Sequence, residues 1–302
     1  MPTREHLLAL NDELRRLKAG GQRAVAVTDE SLAQLREAVA TTLAADEPAA
    51  PAPLLFEPKP APVAKVAAVR GPELPAPPAF ALPEGDKRTR WNFLRDLVLN
   101  DCMCRARVYP GKQVVFGVGN LDAAVMFVGE APGGDEEDQG EPFVGRAGQL
   151  LSKMIKGMGL EREQVYIGNI LNWRPETGAR NADGSQTGNR PPTAAEMAYC
   201  LPFIRAQIAI IQPRVLVALG KTAVDGLLGA ERFKTMGAAR GSWHSYADTP
   251  LRASYHPSYL LRQEGLTSAT AKKIKRDAWE DLLAVMERAE LPITDKQRNY
   301  FR

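Results

Sequence analysis

The chain has 302 residues, 44% of them hydrophobic, and a formal net charge of +3 at pH 7. This length fits one good-sized domain with an appendage, and the composition is typical of a globular protein. No apolar run approaches the roughly 20 residues of a membrane span, and charges interrupt the apolar pattern at the N-terminus. We therefore expect neither a membrane partner nor a signal peptide, and a cytoplasmic location.

Charge and cysteine content leave the partner open. Residues 214–302 carry 15 basic and 10 acidic side chains, an excess compatible with a polyanionic partner and equally with a solvated helix surface. The three cysteines are Cys102, Cys104 and Cys200. An odd number in a cytosolic chain argues against a disulfide framework, and three thiols are one short of a four-cysteine metal site.

The N-terminal part of the chain is predicted to be an appendage on a linker. Leucines at helical spacing predict one helix over 4–18 and a second over about 28–43. Residues 48–83 then hold 11 of the 23 prolines, interleaved with alanine, and such a composition cannot build a core. We expect a helical appendage at 1–46, serving docking or only solubility, and a disordered Pro/Ala-rich linker at 47–87.

From about residue 88 helices and strands alternate. Apolar runs predict strands at 123–129, 165–171 and 214–220, with two shorter strands near 242–246 and 251–255. Segments with helical periodicity lie at 90–100, 147–158, 193–211, from Lys221 onward and at 268–289. This alternation predicts an α/β domain at 88–290, a three-layer sandwich around a central, mainly parallel sheet, with a tail at 291–302.

A glycine-rich turn follows the first strand, in FVGEAPGGDEEDQGEPFVG at 127–145. Such turns often cradle phosphate. However, six acids lie within 130–141 and the turn has no lysine, so an anion would be repelled. A neutral, planar ligand fits better, and Phe143 is either a flat wall for that ligand or an ordinary core aromatic.

Two further segments at the carboxyl ends of strands carry unusual residues. Asn169 ends the second strand, where a buried amide either pairs with the amide-like edge of a pyrimidine or caps a local turn. His256 opens HPSYLLR, at 256–262, which presents an aromatic residue and two leucines on a loop. Exposed leucines of this kind wedge into base stacks; packing in the core is the alternative.

Taken in order, these segments resemble the family 4 uracil-DNA glycosylases. The matching stretches span roughly residues 100–285 and are GEAPG (129–133), Glu136, EPFVGRAGQLL (141–151), VYIGNI with Asn169, RPE (174–176), NRPPT (189–193), PRVLVALG (213–220) and HPSYLLR. The resemblance implies an enzyme of base excision repair. It would flip uracil out of single- or double-stranded DNA and hydrolyse its N-glycosidic bond, leaving an abasic site.

The resemblance also implies roles for individual residues. The catalytic set would be Glu130, Glu136 and His256; the substrate-binding set Ala131, Phe143 and Asn169; and the DNA-binding set Tyr259, Leu260, Leu261 and Arg262. The two acids would face the attacking water and the incipient sugar cation, and the histidine would hydrogen-bond uracil O2. The other acids of the turn are expected to face solvent: Asp135, Glu137, Asp138 and Glu141.

The same resemblance implies a [4Fe–4S] cluster on four cysteines, but the set here is incomplete. The leading Cys-x-x-Cys pair is replaced by Cys102-Met-Cys104, and the third ligand position is Trp173. Cys200 stands in a family position. We expect the cluster to be absent or degenerate, with Trp173 packing in its place, so no cofactor is secure. A second departure is an insertion at 176–189.

Other functions stay open at this point. A non-catalytic DNA-lesion binder or adaptor would dock a protein partner through residues 1–46. A hydrolase of free nucleosides or nucleotides is disfavoured by the leucines of HPSYLLR, because a small substrate offers no base stack to enter. The expected partner is uracil-containing DNA, and the expected state is a monomer.

Overall fold

The computed structural model describes residues 74–181, 184–263 and 268–300, so the two predicted N-terminal helices lie outside the described residues. The strands are β1 Val118–Gly119, β2 Val125–Gly129, β3 Tyr166–Asn169, β4 Val215–Leu219, β5 Trp243–Tyr246 and β6 Thr249–Ser254. They form one sheet in the order β1-β3-β2-β4-β6-β5. The four central strands are parallel, and β1 and β5 pair antiparallel at the two edges.

Helices cover both faces of this sheet. They are α1 Lys87–Asn100, α2 Cys102–Ala106, α3 Gly134–Gln139, α4 Arg146–Gly157, α5 Ala194–Ile211, α6 Lys221–Leu228, α7 Met236–Ala239, α8 Pro257–Arg262, α9 Ala269–Arg288 and α10 Asp295–Arg298, with a 3-10 turn at Arg162–Gln164. Strand β2 shows the layering, because Met126 and Val128 join the core with α1, α5 and α6, whereas Val125 and Phe127 join the core with α4 and α9. Successive side chains of a strand point to opposite faces, and the predicted three-layer sandwich is confirmed.

Helix α5 begins at a capping box formed by Thr193 and Glu196. Thr193 accepts the Glu196 N–H through its hydroxyl at 3.2 Å, and the Glu196 carboxylate accepts the Thr193 N–H at 2.7 Å. Among the described helices, α5 is the one long and apolar enough to cross a membrane by length and composition alone. More than half of it is buried inside the fold, as in the core helix of a sandwich.

The folded unit is larger than predicted at both ends. Upstream of α1, Phe80 stacks on Phe203 with ring centroids 5.8 Å apart, and Leu82 packs against the same core. Downstream of α9, Gln297 accepts the Trp279 indole N–H at 2.8 Å and donates its amide to Gly157 O at 2.9 Å. The end of the predicted linker and the predicted tail are therefore parts of the domain.

Candidate active site

The carboxyl ends of the four parallel strands open into one cleft of about 860 Å³. Sheets of this kind place their ligands at this edge. The predicted site residues that line the cleft are Glu130, Ala131, Glu136, Phe143, Asn169, His256, Tyr259 and Arg262. Of the ten predicted residues, Leu260 and Leu261 do not line it. The three sequence-distant segments predicted to carry the site therefore meet in one cleft.

Glu136 holds the glycine turn in place. Its Oε2 accepts the Gly133 N–H at 3.0 Å, and its Oε1 accepts the N–H groups of Val144 and Gly145 at 3.1 and 3.0 Å. A carboxylate that accepts three backbone hydrogen bonds is fixed in one orientation. Glu136 was predicted to face the sugar cation; the structure instead directs its oxygens at the backbone of two turns that form the cleft wall.

One neighbouring acid departs from prediction. Glu137 was expected to face solvent, but it is 3% exposed and pairs with Arg174 at 2.8 Å. Asp135, Asp138 and Glu141 are exposed, as expected. Because a buried charge must be paired, Glu137 is a structural acid that anchors Arg174.

Phe143 lies at the base of the cleft in a strained backbone conformation. Its φ of 56° is in the left-handed region, and its ring centroid is 5.5 Å from that of His256. Two glycines make room for it. A Cβ at Gly129 would lie 2.4 Å from the ring, and a Cβ at Gly148 would lie 1.8 Å from the Phe143 carbonyl oxygen. Positions 129 and 148 must therefore be glycine to accommodate Phe143.

Asn169 lines the cleft and carries an unpartnered polar atom. It is the last residue of β3 and 6% exposed, and its Oδ1 is buried without a hydrogen-bond partner in the described structure. A Cβ at Gly129 would lie 2.4 Å from this oxygen, so β2 and β3 hold the amide between them. A buried oxygen left unpaired costs about 1–3 kcal/mol, and a ligand in the cleft is the group available to pair with it.

His256 is the N-cap of α8. Its Nδ1 accepts the Ser258 N–H at 3.1 Å and lies 2.8 Å from the Ser258 hydroxyl. Because Nδ1 accepts, the ring proton of the neutral imidazole is on Nε2. Burial, reinforced by the positive charge of Arg262, lowers the pKa of His256 to about 4. The ring is therefore neutral at pH 7 and offers one N–H donor.

The segment predicted as an intercalating loop is the short helix α8. Leu260 is 5% exposed and packs with Ile274 and Ala278 of α9. The expectation that Leu260 is exposed is wrong, and core packing applies to it in this structure. Leu261 is half-buried and Arg262 is exposed. The residues of α8 that line the cleft are therefore Ser258, Tyr259 and Arg262.

Sequence reasoning missed several residues of the cleft. Thr222, in the first turn of α6, donates its hydroxyl to Glu130 Oε2 at 2.5 Å. Tyr255 lines the cleft under the Arg240 guanidinium, 4.2 Å from its ring centroid. Asn189 closes the insertion beside the cleft and accepts a hydrogen bond from Arg174 at 2.9 Å. Thr222 and Tyr255 lie just beyond the ends of strands β4 and β6, and this position in the sequence could have identified them as cleft residues.

The cysteine region does not fit a four-thiolate cluster. Cys104 and Cys200 are fully buried and their thiols are in hydrogen-bond contact, and that contact together with burial raises the pKa of Cys104. Cys102 is exposed, because residues two apart on a helix face different directions. Trp173 is 1% exposed beside Tyr199, with ring centroids 6.1 Å apart. Across the described residues, no group of three or more His, Cys, Asp and Glu side chains is arranged to hold a metal ion.

Comparison with known proteins identifies the family that this chain matches. The family described as Uracil DNA glycosylase superfamily matches residues 116–283. A type-4 uracil-DNA glycosylase of Thermotoga maritima is 38% identical over 169 residues, covering 56% of this chain and 79% of that protein. A type-4 enzyme of Pyrobaculum aerophilum is 34% identical over 187 residues, covering 60% and 89%. A type-5 uracil-DNA glycosylase of the same organism is 32% identical over 181 residues, covering 54% and 74%.

Proposed function

The chain belongs to the uracil-DNA glycosylase superfamily, and we propose that it is a DNA repair enzyme that excises uracil from DNA. It hydrolyses the N-glycosidic bond and leaves an abasic site. The observation that carries this function is the unpartnered, buried Oδ1 of Asn169 in the same cleft as the neutral ring of His256. The type-4 relatives carry the same activity in their names.

Asn169 reads the base. Its Oδ1 accepts the N3–H of uracil, and its Nδ2 donates to uracil O4. Cytosine has no N3–H and carries an amino group at the 4 position, so its edge leaves both groups of the amide unpaired. Sites built on such hydrogen bonds reject the wrong partner strongly, because buried polar groups are left unsatisfied. Phe143 provides the flat surface on which the flipped base lies.

Bond cleavage produces negative charge on uracil and positive charge on the sugar, and one residue of the cleft stabilises each. As the C1′–N1 bond breaks, its electron pair goes to uracil and negative charge builds on O2. The Nε2–H of His256 donates to O2, and a donor placed where charge develops lowers the barrier. Glu130 stabilises the sugar cation, orients the attacking water and accepts the water proton as the C1′–O bond forms.

Uracil release from single- and double-stranded oligonucleotides tests this function. We expect His256→Ala to lower the single-turnover rate by about 10²–10³-fold, the usual loss on removing one such donor, and Asn169→Ala to lower it comparably. His244→Ala is the matched control, because that ring bonds Ala239 O at 2.7 Å and does not line the cleft. Wild-type protein that releases no uracil from either substrate would contradict the proposal.

No observation favours the adaptor alternative. Residues 1–46, through which an adaptor would act, lie outside the described residues, so docking of a partner there stays a prediction. We propose that the enzyme acts as a monomer in the cytoplasm. The support for a monomer is that one chain supplies every residue assigned a role in the cleft.

We also propose that the enzyme works without a four-thiolate iron–sulfur cluster. The support is geometric: Cys102 is directed away from Cys104, and the Trp173 indole takes part in the core at the third ligand position. Visible absorbance and assays of iron and sulfide on purified protein test this directly. Stoichiometric iron and sulfide would overturn it.

A further inference from the structure

We infer that Thr222 is a positioning residue that orients the Glu130 carboxylate toward the attacking water. The inference rests on the uracil excision proposed above and extends it to a residue of α6. Thr222 and Glu130 are 92 positions apart in the sequence, yet both line the cleft. The Thr222 hydroxyl donates to Glu130 Oε2 at 2.5 Å. Because an ionised carboxylate only accepts hydrogen bonds, the hydroxyl is the donor.

Both ends of this hydrogen bond are anchored. On one side, the Glu130 carbonyl accepts the Leu171 N–H at 3.1 Å, which fixes the backbone just beyond β2. On the other side, the Gly220 N–H donates to Ser254 O at 2.9 Å, which fixes the turn that leads into α6. Because both segments are anchored, the hydrogen bond from Thr222 holds the Glu130 carboxylate in one orientation.

The turn that carries Thr222 also contacts the histidine. Gly220 has a φ of +88°, and a Cβ there would lie 3.0 Å from the His256 Cβ. The turn between β4 and α6 therefore touches Glu130 through Thr222 and touches His256 through Gly220. This turn therefore fixes the distance between Glu130, which orients the attacking water, and His256, which donates to the departing uracil.

The hydrogen bond leaves one carboxylate oxygen for the reaction. Oε2 is engaged by Thr222, and within the described residues no protein group donates to Oε1. The neighbouring cation is held elsewhere, because Lys221 Nζ lies 2.6 and 2.7 Å from the two oxygens of Asp225. A neutral hydroxyl therefore orients Glu130 without neutralising it, and the full negative charge stays available to the sugar cation.

The test compares two substitutions that differ in the hydroxyl. Thr222→Val keeps the shape and loses the donor, so we expect the single-turnover rate of excision to fall about tenfold, in line with hydrogen bonds to charged groups. Thr222→Ser keeps the donor and should retain the rate within about threefold. Affinity for uracil-containing DNA, measured by fluorescence anisotropy, should be unchanged in both variants.

A double-mutant cycle separates positioning from a structural role. If Thr222 acts through Glu130, then Thr222→Val should change the rate less than about twofold in a Glu130→Gln background. Full additivity, an unchanged rate in Thr222→Val, or a loss confined to DNA affinity would each overturn the inference. Thermal unfolding is measured for every variant, and Thr222→Ala replaces the valine variant if the latter does not fold. Wild-type protein without uracil release refutes the function itself, whereas an active wild type with an equally active Thr222→Val refutes the positioning role alone.

Discussion

At the scale of single residues, the charge state of His256 decides how the departing base is stabilised. Burial lowers its pKa to about 4, so the working form from pH 8 down to about 5 is the neutral ring. We expect the contribution of His256 to the single-turnover rate to be flat across that range. A ring that worked in its protonated form would give a rate rising up to about tenfold per unit as pH falls toward its pKa.

The measurement is a pH–rate series on wild type and on His244→Ala, which removes the other histidine of the described structure. A rate that climbs steadily on acidification in both proteins contradicts the neutral assignment.

The lowered pKa of His256 also affects the stability of the fold. Between the unfolded pKa of 6.5 and the folded value of about 4, the unfolded chain binds more protons, so the free energy of unfolding falls as pH drops through this window.

Strand-end position made some of these residues predictable. Asn169 is the last residue of β3 and His256 lies two residues beyond the end of β6, and the ends of parallel strands meet at one edge of the sheet. Leu260 and Glu137 were misplaced because their burial depends on partners far away in the sequence, Ile274 and Arg174. No local pattern of charge or hydropathy reports such partners.

At the scale of elements, the junction between Phe143 and helix α4 controls the floor of the cleft. A Cβ at Gly148 would lie 1.8 Å from the Phe143 carbonyl oxygen, and backbone cannot move aside as a side chain can. We expect Gly148→Ala to destabilise the fold by about 2–4 kcal/mol, the range of severe overpacking. Urea unfolding at pH 7 measures this.

Gly237→Ala is the matched control for that variant. Its added Cβ would come no closer than 3.9 Å to any atom, and alanine is the better helix former. The control should unfold at the wild-type urea concentration or slightly above it. Equal stability of the two variants would show that the Phe143 turn moves freely relative to α4.

The elements themselves were predicted more reliably than their ends. Apolar runs of strand length gave the central strands, and helical periodicity gave α4, α5 and α9, because burial imposes these periods on any sequence that forms the layers. Helix α8 stands where the sequence predicts a loop. It has six residues with proline at its first position, and one and a half turns are too short to show a period.

At the scale of the whole molecule, the segment before α1 belongs to the folded unit. Phe80 stacks on Phe203 of α5, although the segment around Phe80 has the composition of the Pro/Ala-rich linker. We expect Phe80→Ala in the full chain to lower the free energy of unfolding by about 2 kcal/mol, because a partly buried aromatic ring is lost. Thermal or urea unfolding measures the change.

Phe93→Ala provides the comparison, since Phe93 lies on α1 and is 40% exposed. Its removal should change stability by no more than about 0.5 kcal/mol, as for surface positions generally. Equal losses in the two variants would place Phe80 outside the cooperative core. The sequence did not reveal this boundary because a composition averaged over many residues hides one aromatic residue that docks.

Trp173 bears on when a newly made chain becomes ready to work. A metal cluster has to be assembled and delivered by other proteins, and its presence follows the supply of iron in the cell. An indole packed beside Tyr199 is part of the polypeptide and is in place as soon as the chain has folded. On the proposal that the enzyme works without a cluster, the folded chain would excise uracil through iron starvation, when enzymes that need a cluster are left incomplete.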